Sequence, residues 1–472
     1  IGWGMTLQEK FLVDIKDTTY NVALAELKSD AKLNFVVETI NNLGSERERV
    51  NTFIIRNAQT NRGYLYRKHY EFIDNTTGKT LRSFVVDIDS ALGGYGRVYN
   101  YNNNYSNNLI YDIGRAGIFI GYEENSIIAN NRIHGIDGIV KLPTGEVVDI
   151  DCAGILLGGA QRPDKYNGFN SIGLKITGNE ISNVRSKSSA SGIHYEQTLL
   201  YDRIMGSRFP DRPERTYIYN NIIWGIQAKS NNANRYGINI GLTRPYGINI
   251  EQSDSPYYVV EDLKYNIEEM YITNNTIILD EDDYSDSHGE YMGLRLQHLR
   301  NSTIVNNAIH LGDKTFDKEQ TNLANVIYYQ GASPKEANNN INFNVYYWDT
   351  NSVIDAYRFV NTDYATGIVL DTGYVGEYKL EQWQNWLVSD YYSSRMEFYS
   401  DYQKSDERFP KLRVKQDPVP ANSPLDNRGI IVDVFRDDID GKLRGVGDQK
   451  YDIGAEEINS TRYSLDLELV NF

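Results

Sequence analysis

Internal disulfides can play no part in this chain, because its 472 residues contain a single cysteine, Cys152. That residue sits just before an apolar phrase, Gly154-Ile155, and reads as a small buried side chain. A large repetitive core needs no covalent staples, so the lack of disulfides does not argue against secretion. Basic residues are also short: 48 Lys and Arg face 64 Asp and Glu, a net charge of −16. This argues against DNA or RNA as a partner, since phosphates demand a basic footprint, although an acidic glycan could still bind through a local basic patch or a bridging Ca²⁺. No apolar stretch has the length of a membrane-spanning helix, so no membrane insertion is expected. There is no His-Glu-x-x-His, Cys-x-x-Cys, Gly-x-Ser-x-Gly or phosphate-binding loop, which leaves zinc and nucleotide chemistry without a motif. The start, Ile1-Gly2-Trp3-Gly4-Met5, lacks the basic-then-apolar layout of a signal peptide. It reads as a processed start or as a start inside a longer protein.

What is abundant is tyrosine, with 37 copies, together with glycine and asparagine. Two short phrases use them repeatedly. The first is an Asn-Asn turn between apolar residues: Ile128-Ala129-Asn130-Asn131, Ile176-Thr177-Gly178-Asn179, Ile218-Tyr219-Asn220-Asn221, Ile272-Thr273-Asn274-Asn275 and Ile304-Val305-Asn306-Asn307, with a decayed copy around Asn344. The second opens with glycine or valine: Gly117-Ile118-Phe119, Gly154-Ile155-Leu156, Gly192-Ile193-His194, Gly247-Ile248-Asn249, Gly293-Leu294-Arg295 and Val326-Ile327-Tyr328. Short strands repeated in a set order are the signature of a solenoid. Asn108 and Asn131 lie 23 residues apart, and later intervals lengthen to 48, 42, 54, 32 and 37. A span of 23 residues at ~3.3 Å each suffices for three short strands and their corners. The excess in later coils is loop inserted at corners.

These features predict an all-β fold, a right-handed parallel β-helix, whose aligned Asn131, Asn179, Asn221, Asn275, Asn307 and Asn344 form an internal amide ladder. Residues 1–95 read as N-terminal strands or early coils with a side loop. Residues 96–350 read as regular coils, and 351–472 as terminal coils and a C-terminal cap. In the cap, Leu380, Trp383 and Leu387 fall on one helical stripe, suited to covering the open end of a solenoid.

The C-terminal phrases Leu380-Glu381-Gln382-Trp383, Asn422-Ser423-Pro424-Leu425, Asp437-Asp438-Ile439-Asp440-Gly441 and Tyr451-Asp452-Ile453-Gly454-Ala455-Glu456 resemble the ends of bacterial extracellular β-helix proteins of the pectate-lyase-like group. Glu456-Glu457 stands where that group usually has an aromatic residue. The resemblance implies a right-handed β-helix, a secreted or cell-surface location, and the Asp437–Gly441 phrase as a structural turn. The group includes polysaccharide lyases, glycoside hydrolases and many surface proteins, so activity is not implied by it.

Side chains alternate along a strand, so the third and fifth residues of the Gly-Ile phrase face outward. Coil by coil they read Phe119/Gly121, Leu156/Gly158, His194/Glu196, Asn249/Glu251, Arg295/Gln297 and Tyr328/Gln330. The face changes from apolar to polar at His194. In a polysaccharide lyase, His194 would be the base and Arg295 the group that neutralises a uronate carboxylate. Glu196 and Glu251 would hold Ca²⁺ between neighbouring coils. No other cofactor is required. In a glycosidase the same two glutamates would be acid and base, near the retaining separation. Asn249, Gln297, Tyr328 and Gln330 would bind the sugar, tyrosine rings suiting the apolar faces of pyranoses. His288, Glu290 and His298 read as loop residues, and His69, His134 and His310 have no partner at a useful spacing. Two readings remain open: a β-helix that binds and cleaves a polysaccharide or surface glycan, and a structural or adhesive module with further domains or subunits in a surface assembly.

Overall fold

The computed structural model describes strands at residues 12–13, 33–40, 49–57, 65–73 and 80–89, followed by residues 100–120, 123–141, 145, 147–157, 171, 173–198, 215–228, 233–243, 267–279, 290–312, 324–348, 357–362, 369–375, 380–415, 422–432, 436–445, 450–458. From Asn104 onward the chain winds through three parallel sheets, one strand to each sheet per coil. The first sheet has seven strands, from Asn104–Ser106 to Asn340–Asn342. The second has eight, from Leu109–Gly114 to Ser394–Arg395. The third also has eight, from Ala116–Ile120 to Val369–Val375, and only its last pairing is antiparallel. This is a parallel β-helix.

The Asn-Asn phrase makes the corner between the first and second sheets. The first Asn of each pair takes a left-handed backbone, with φ of 55° at Asn130, 53° at Asn220, 54° at Asn274 and 58° at Asn306. Asparagine tolerates that region better than other residues with a side chain. Gly178 serves the same need in its coil, with φ of 64°. The second Asn points inward and forms the ladder. Each donates from Nδ2 to Oδ1 of the Asn one coil on, at 2.9–3.0 Å, from Asn108 through Asn131, Asn179, Asn221, Asn275 and Asn307 to Asn344. The same Oδ1 accepts the preceding Asn's backbone N–H, and the second Nδ2 hydrogen reaches a backbone carbonyl, as from Asn275 to Ile218. Every corner thereby satisfies polar groups that burial would otherwise orphan.

The interior is a set of isoleucine files. Ile155, Ile193, Ile238, Leu294 and Ile327 stack on one another by strand register and are inaccessible to solvent. The glycine that opens the third-sheet phrase has a steric cause. At Gly192 an added Cβ would stand 2.6 Å from the Gly237 carbonyl and overlap the γ2-methyl of Ile223. Gly192→Ala should therefore lower stability by about 1–3 kcal/mol, the usual cost of overpacking. Urea denaturation checks this, and an unchanged midpoint would show that the corner yields freely.

Beyond the coils, Leu380–Leu387 is helical. Trp383 and Leu387 are fully buried, and the Trp383 indole stacks on Tyr357 of the last coil with ring centroids 4.9 Å apart. The expected end cap is thus present. The rest of the tail does something the sequence pattern does not announce: it runs back along the outside of the second sheet. Phe398, Tyr402, Leu412, Val414, Leu425, Ile453 and Ala455 pack on Ile222, Trp224, Ile278, Ala308 and Val345. Phe409 reaches the ring of Tyr111 in the first coil, 4.7 Å between centroids. The outward asparagines act as a rail: Asn306 pairs with Ile430, donating to its carbonyl and accepting from its N–H, and Asn274 donates to the Asp452 carbonyl. The Asp437–Gly441 phrase is a turn in which Asp438 Oδ1 accepts the N–H groups of Asp440 and Lys442.

Upstream of the coils the described strands pair differently from those of the coils. Leu33–Ile40 pairs with Arg49–Asn57, and Leu65–Ile73 with Thr80–Asp89, both antiparallel. Of the two readings of this region, strands or early coils, the described residues show antiparallel strand pairs, and the remainder of residues 58–95, where a side loop is expected, lies outside the described residues. Alternating apolar residues are common to both kinds of strand, so alternation cannot separate them.

Candidate functional site

Strand register builds the outer face of the third sheet. One file runs Phe119, Leu156, His194, Asn239, Arg295, Tyr328, Arg358, each directly beside the next. Neighbouring strands lie ~4.8 Å apart, so Arg295 stands two rungs, roughly 10 Å, from His194. Gln297 pairs in register with Gln330 in the adjoining outward file.

The rung after His194 differs from expectation. It is supplied by Arg235–Thr243, whose Gly237-Ile238-Asn239-Ile240-Gly241 precedes a near-copy ten residues on. Asn249 and Glu251 lie outside the described residues. Chain economy explains the choice: the preceding second-sheet strand ends at Ala228, and Arg235 is close enough to turn the corner at once. The residue beside Glu196 is therefore Gly241, not Glu251. The Glu196 carboxylate lies across that glycine, where any Cβ would collide with it. The proposed Glu196–Glu251 pair, whether as acid and base or as a Ca²⁺ site, therefore falls outside the described residues, and the in-register neighbour of Glu196 among them is Gly241. Among the described residues no group of three His, Cys, Asp or Glu could hold a metal ion.

Two linked clusters remain. In the first, His194 Nε2 lies 3.3 Å from Glu196 Oε2; the imidazole is 26% exposed and the carboxylate 5%. The carboxylate is thus sheltered and the ring presented. The second cluster centres on Arg295. Its Nη1 donates to Asn239 Oδ1 and to Gln297 Oε1, both at 3.1 Å. Gln297 Nε2 donates to Gln330 Oε1 at 2.8 Å, which also accepts from the Tyr328 hydroxyl at 3.1 Å. The guanidinium carbon is 5.6 Å from the centroid of Tyr236 and 5.8 Å from that of Tyr328, within cation–π range of both. Burial raises the Tyr236 hydroxyl well above its ordinary pKa, so it stays protonated and donates to Glu290 Oε2 at 2.6 Å.

No family model, curated protein or solved structure matches this chain. Of what the tail phrases imply, the structure shows the parallel β-helix.

Of the residues singled out from sequence, the structure brings together His194 with Glu196, and Arg295 with Gln297, Tyr328 and Gln330. It adds Asn239, Tyr236, Glu290 and Arg358. Tyr236 and Arg358 carried no signal of their own, because their phrases were not aligned with the rest. Glu290 is no idle loop residue: its N–H donates to Asn234 Oδ1, and its carboxylate faces Arg295.

His134 also gains partners on the second sheet, with Ser182 Oγ 2.9 Å from Nδ1 and Asn183 Nδ2 3.2 Å from Nε2. The amide can only donate, so Nε2 accepts and Nδ1 carries the proton toward the serine. That is the wrong direction for activating a nucleophile, and the trio is structural.

Proposed function

We propose that the outer face of the third sheet is a binding track for an acidic polysaccharide, in a secreted or surface-exposed bacterial protein of pectate-lyase-like type. The observation that carries the reading is the Arg295 cluster. It joins a guanidinium to two flanking tyrosine rings and a row of planar amides, Asn239, Gln297 and Gln330. Guanidinium forks match carboxylates, tyrosines stack on sugar C–H faces, and amides read ring hydroxyls. On a protein of net charge −16, such a local cation is what an acidic glycan would need.

If the track is catalytic, elimination fits it better than hydrolysis. His194 would take the proton next to a uronate carboxylate that Arg295 neutralises, whereas hydrolysis needs a second carboxylate near Glu196 and, among the described residues, its in-register neighbour is a glycine. A non-catalytic surface module is favoured by a different observation: Asn239 and Gln297 hold one edge of the Arg295 guanidinium in place, which suits holding more than turnover.

The test is retention on alginate, polygalacturonate and hyaluronan against neutral glucans, with ultraviolet absorbance monitoring unsaturated uronates. Arg295→Ala should weaken binding of the acidic polymer by about tenfold or more, the scale for losing a charged hydrogen-bonding anchor. Equal retention of wild type and variant would end the proposal. Binding by the wild type with no unsaturated product would select the non-catalytic form.

A further inference from the structure

One guanidinium edge in the cluster is not used as the others are. Arg295 Nε is buried and has no hydrogen-bond partner; the carboxylate facing it, Glu290 Oε2, stands 3.9 Å away. That same oxygen is the acceptor for the Tyr236 hydroxyl at 2.6 Å, so the tyrosine holds it beside the arginine without letting it close to bonding distance. Both side chains are partly open to solvent, Arg295 by 22% and Glu290 by 30%. A loose ion pair at such exposure is worth little and is easily exchanged. The opposite edge, Nη1, is fixed by Asn239 and Gln297, so the guanidinium itself is held still while one side of it is only covered.

We infer that Glu290 stands in for the ligand's carboxylate in the unbound protein, so that an acidic glycan binds by displacing it from Arg295. This rests on the reading of the third-sheet face as a track for acidic polysaccharides, and it adds a residue that sets affinity and selectivity. The displaced carboxylate stays close enough to repel an incoming anion, so Glu290 weakens binding of every acidic ligand. The same charge keeps Arg295 from gripping stray small anions, so that only a polymer with further contacts to Tyr328, Gln297 and Gln330 meets the cost. Selectivity of this kind comes from a built-in repulsive element.

Glu290→Gln separates the roles. The amide oxygen still accepts from Tyr236, while the charge facing Arg295 is gone. Affinity for alginate, polygalacturonate and hyaluronan is measured by calorimetry for wild type, Glu290→Gln and Arg295→Ala, with fully methyl-esterified polygalacturonate as the uncharged control. The expected result is affinity of Glu290→Gln about fivefold or more above wild type for the charged polymer, with no change for the ester and an unaltered melting temperature. Binding by Glu290→Gln where wild type shows none would also support the inference. Unchanged or weaker affinity in Glu290→Gln, with Arg295→Ala still defective, would overturn it and leave the glycan track standing. No binding of any acidic polymer by either protein would remove both.

Discussion

Asn275→Ala is expected to lower the stability of the coils by roughly 3 kcal/mol or more, from the orphaning of several buried polar groups at once. Asn275 is inaccessible to solvent, and its amide serves three neighbours. Its Oδ1 is the acceptor for both the backbone N–H and the Nδ2 of Asn221, at 3.1 and 3.0 Å. Its Nδ2 donates to Asn307 Oδ1 at 3.0 Å and to the Ile218 carbonyl at 2.8 Å. Truncation leaves all of these partners inside the solenoid without the amide that joined them. The control is the preceding residue. Asn274→Gly keeps the left-handed backbone and loses a single 3.4 Å bond to the tail, so it should cost about 1 kcal/mol or less. Urea unfolding of the two variants side by side tests the ladder. Equal losses would mean that the inward and outward asparagines do the same work, which the inward-facing file of buried amides forbids.

The contrast between these adjacent residues also shows which parts of the fold were readable. The Asn-Asn phrase survives in sequence because two separate demands fall on consecutive positions: a left-handed corner at the first, a buried amide at the second. The Gly-Ile phrase survives because Ile133, Ile181, Ile223, Ile277 and Ile309 leave no space for a Cβ at Gly117, Gly154, Gly192, Gly237 and Gly293. Where such a demand is duplicated, the pattern misleads. Gly237-Ile238-Asn239-Ile240 and Gly247-Ile248-Asn249-Ile250 satisfy it equally, and only the short corner after Ala228 selects the first. Counting from the second copy sets Glu251 beside Glu196, whereas the described rung sets Gly241 there.

The site was readable by half for a related reason. His194, Glu196, Arg295, Gln297, Tyr328 and Gln330 fall on aligned phrases and were found by counting. Tyr236 and Glu290 act through contacts one coil apart, from the start of a strand and the residue before another. No periodicity marks them. The tail's path was hidden for a different cause: part of its contact with the coils is made through backbone groups, as by those of Ile430 at Asn306, and backbone groups leave no trace in residue identity.

That tail should dock most firmly in mild acid and loosen as the pH rises toward 8. Its contact with the second sheet holds more carboxylates than cations. Arg413 lies 3.2 Å from Glu180, 3.4 Å from Asp440 and 3.8 Å from Glu456, while Arg444 is fully buried against Glu457 at 2.8 Å. Burial pushes Glu456 up to about 8, with Asp440 and Asp438 adding repulsion against the relief from Arg413 and the Val414 N–H. Asp452 is also raised to about 8, by burial and then by the carboxylates of Glu457 and Asp426, although the N–H groups of Asn427 and Ile458 favour its charged form. Burial raises Glu180 as well. A carboxyl whose folded pKa exceeds its unfolded value keeps a proton in the docked state that the free chain would release. Its contribution is complete below the unfolded value, near 4.5 for Glu456, and is lost as pH climbs through the folded value, about 8. Between pH 5 and 9 the docked tail should lose on the order of 2–4 kcal/mol. Hydrogen exchange at Leu412 and Val414, whose amides bond Glu180 and Glu456, reports the release locally. Glu456→Gln should flatten the dependence, since the amide oxygen still accepts from Val414 and no proton is held. Protection at those two amides that is the same at pH 5 and pH 9, after correction for intrinsic exchange, would show that Arg413 and Arg444 suffice to keep every one of these carboxylates charged.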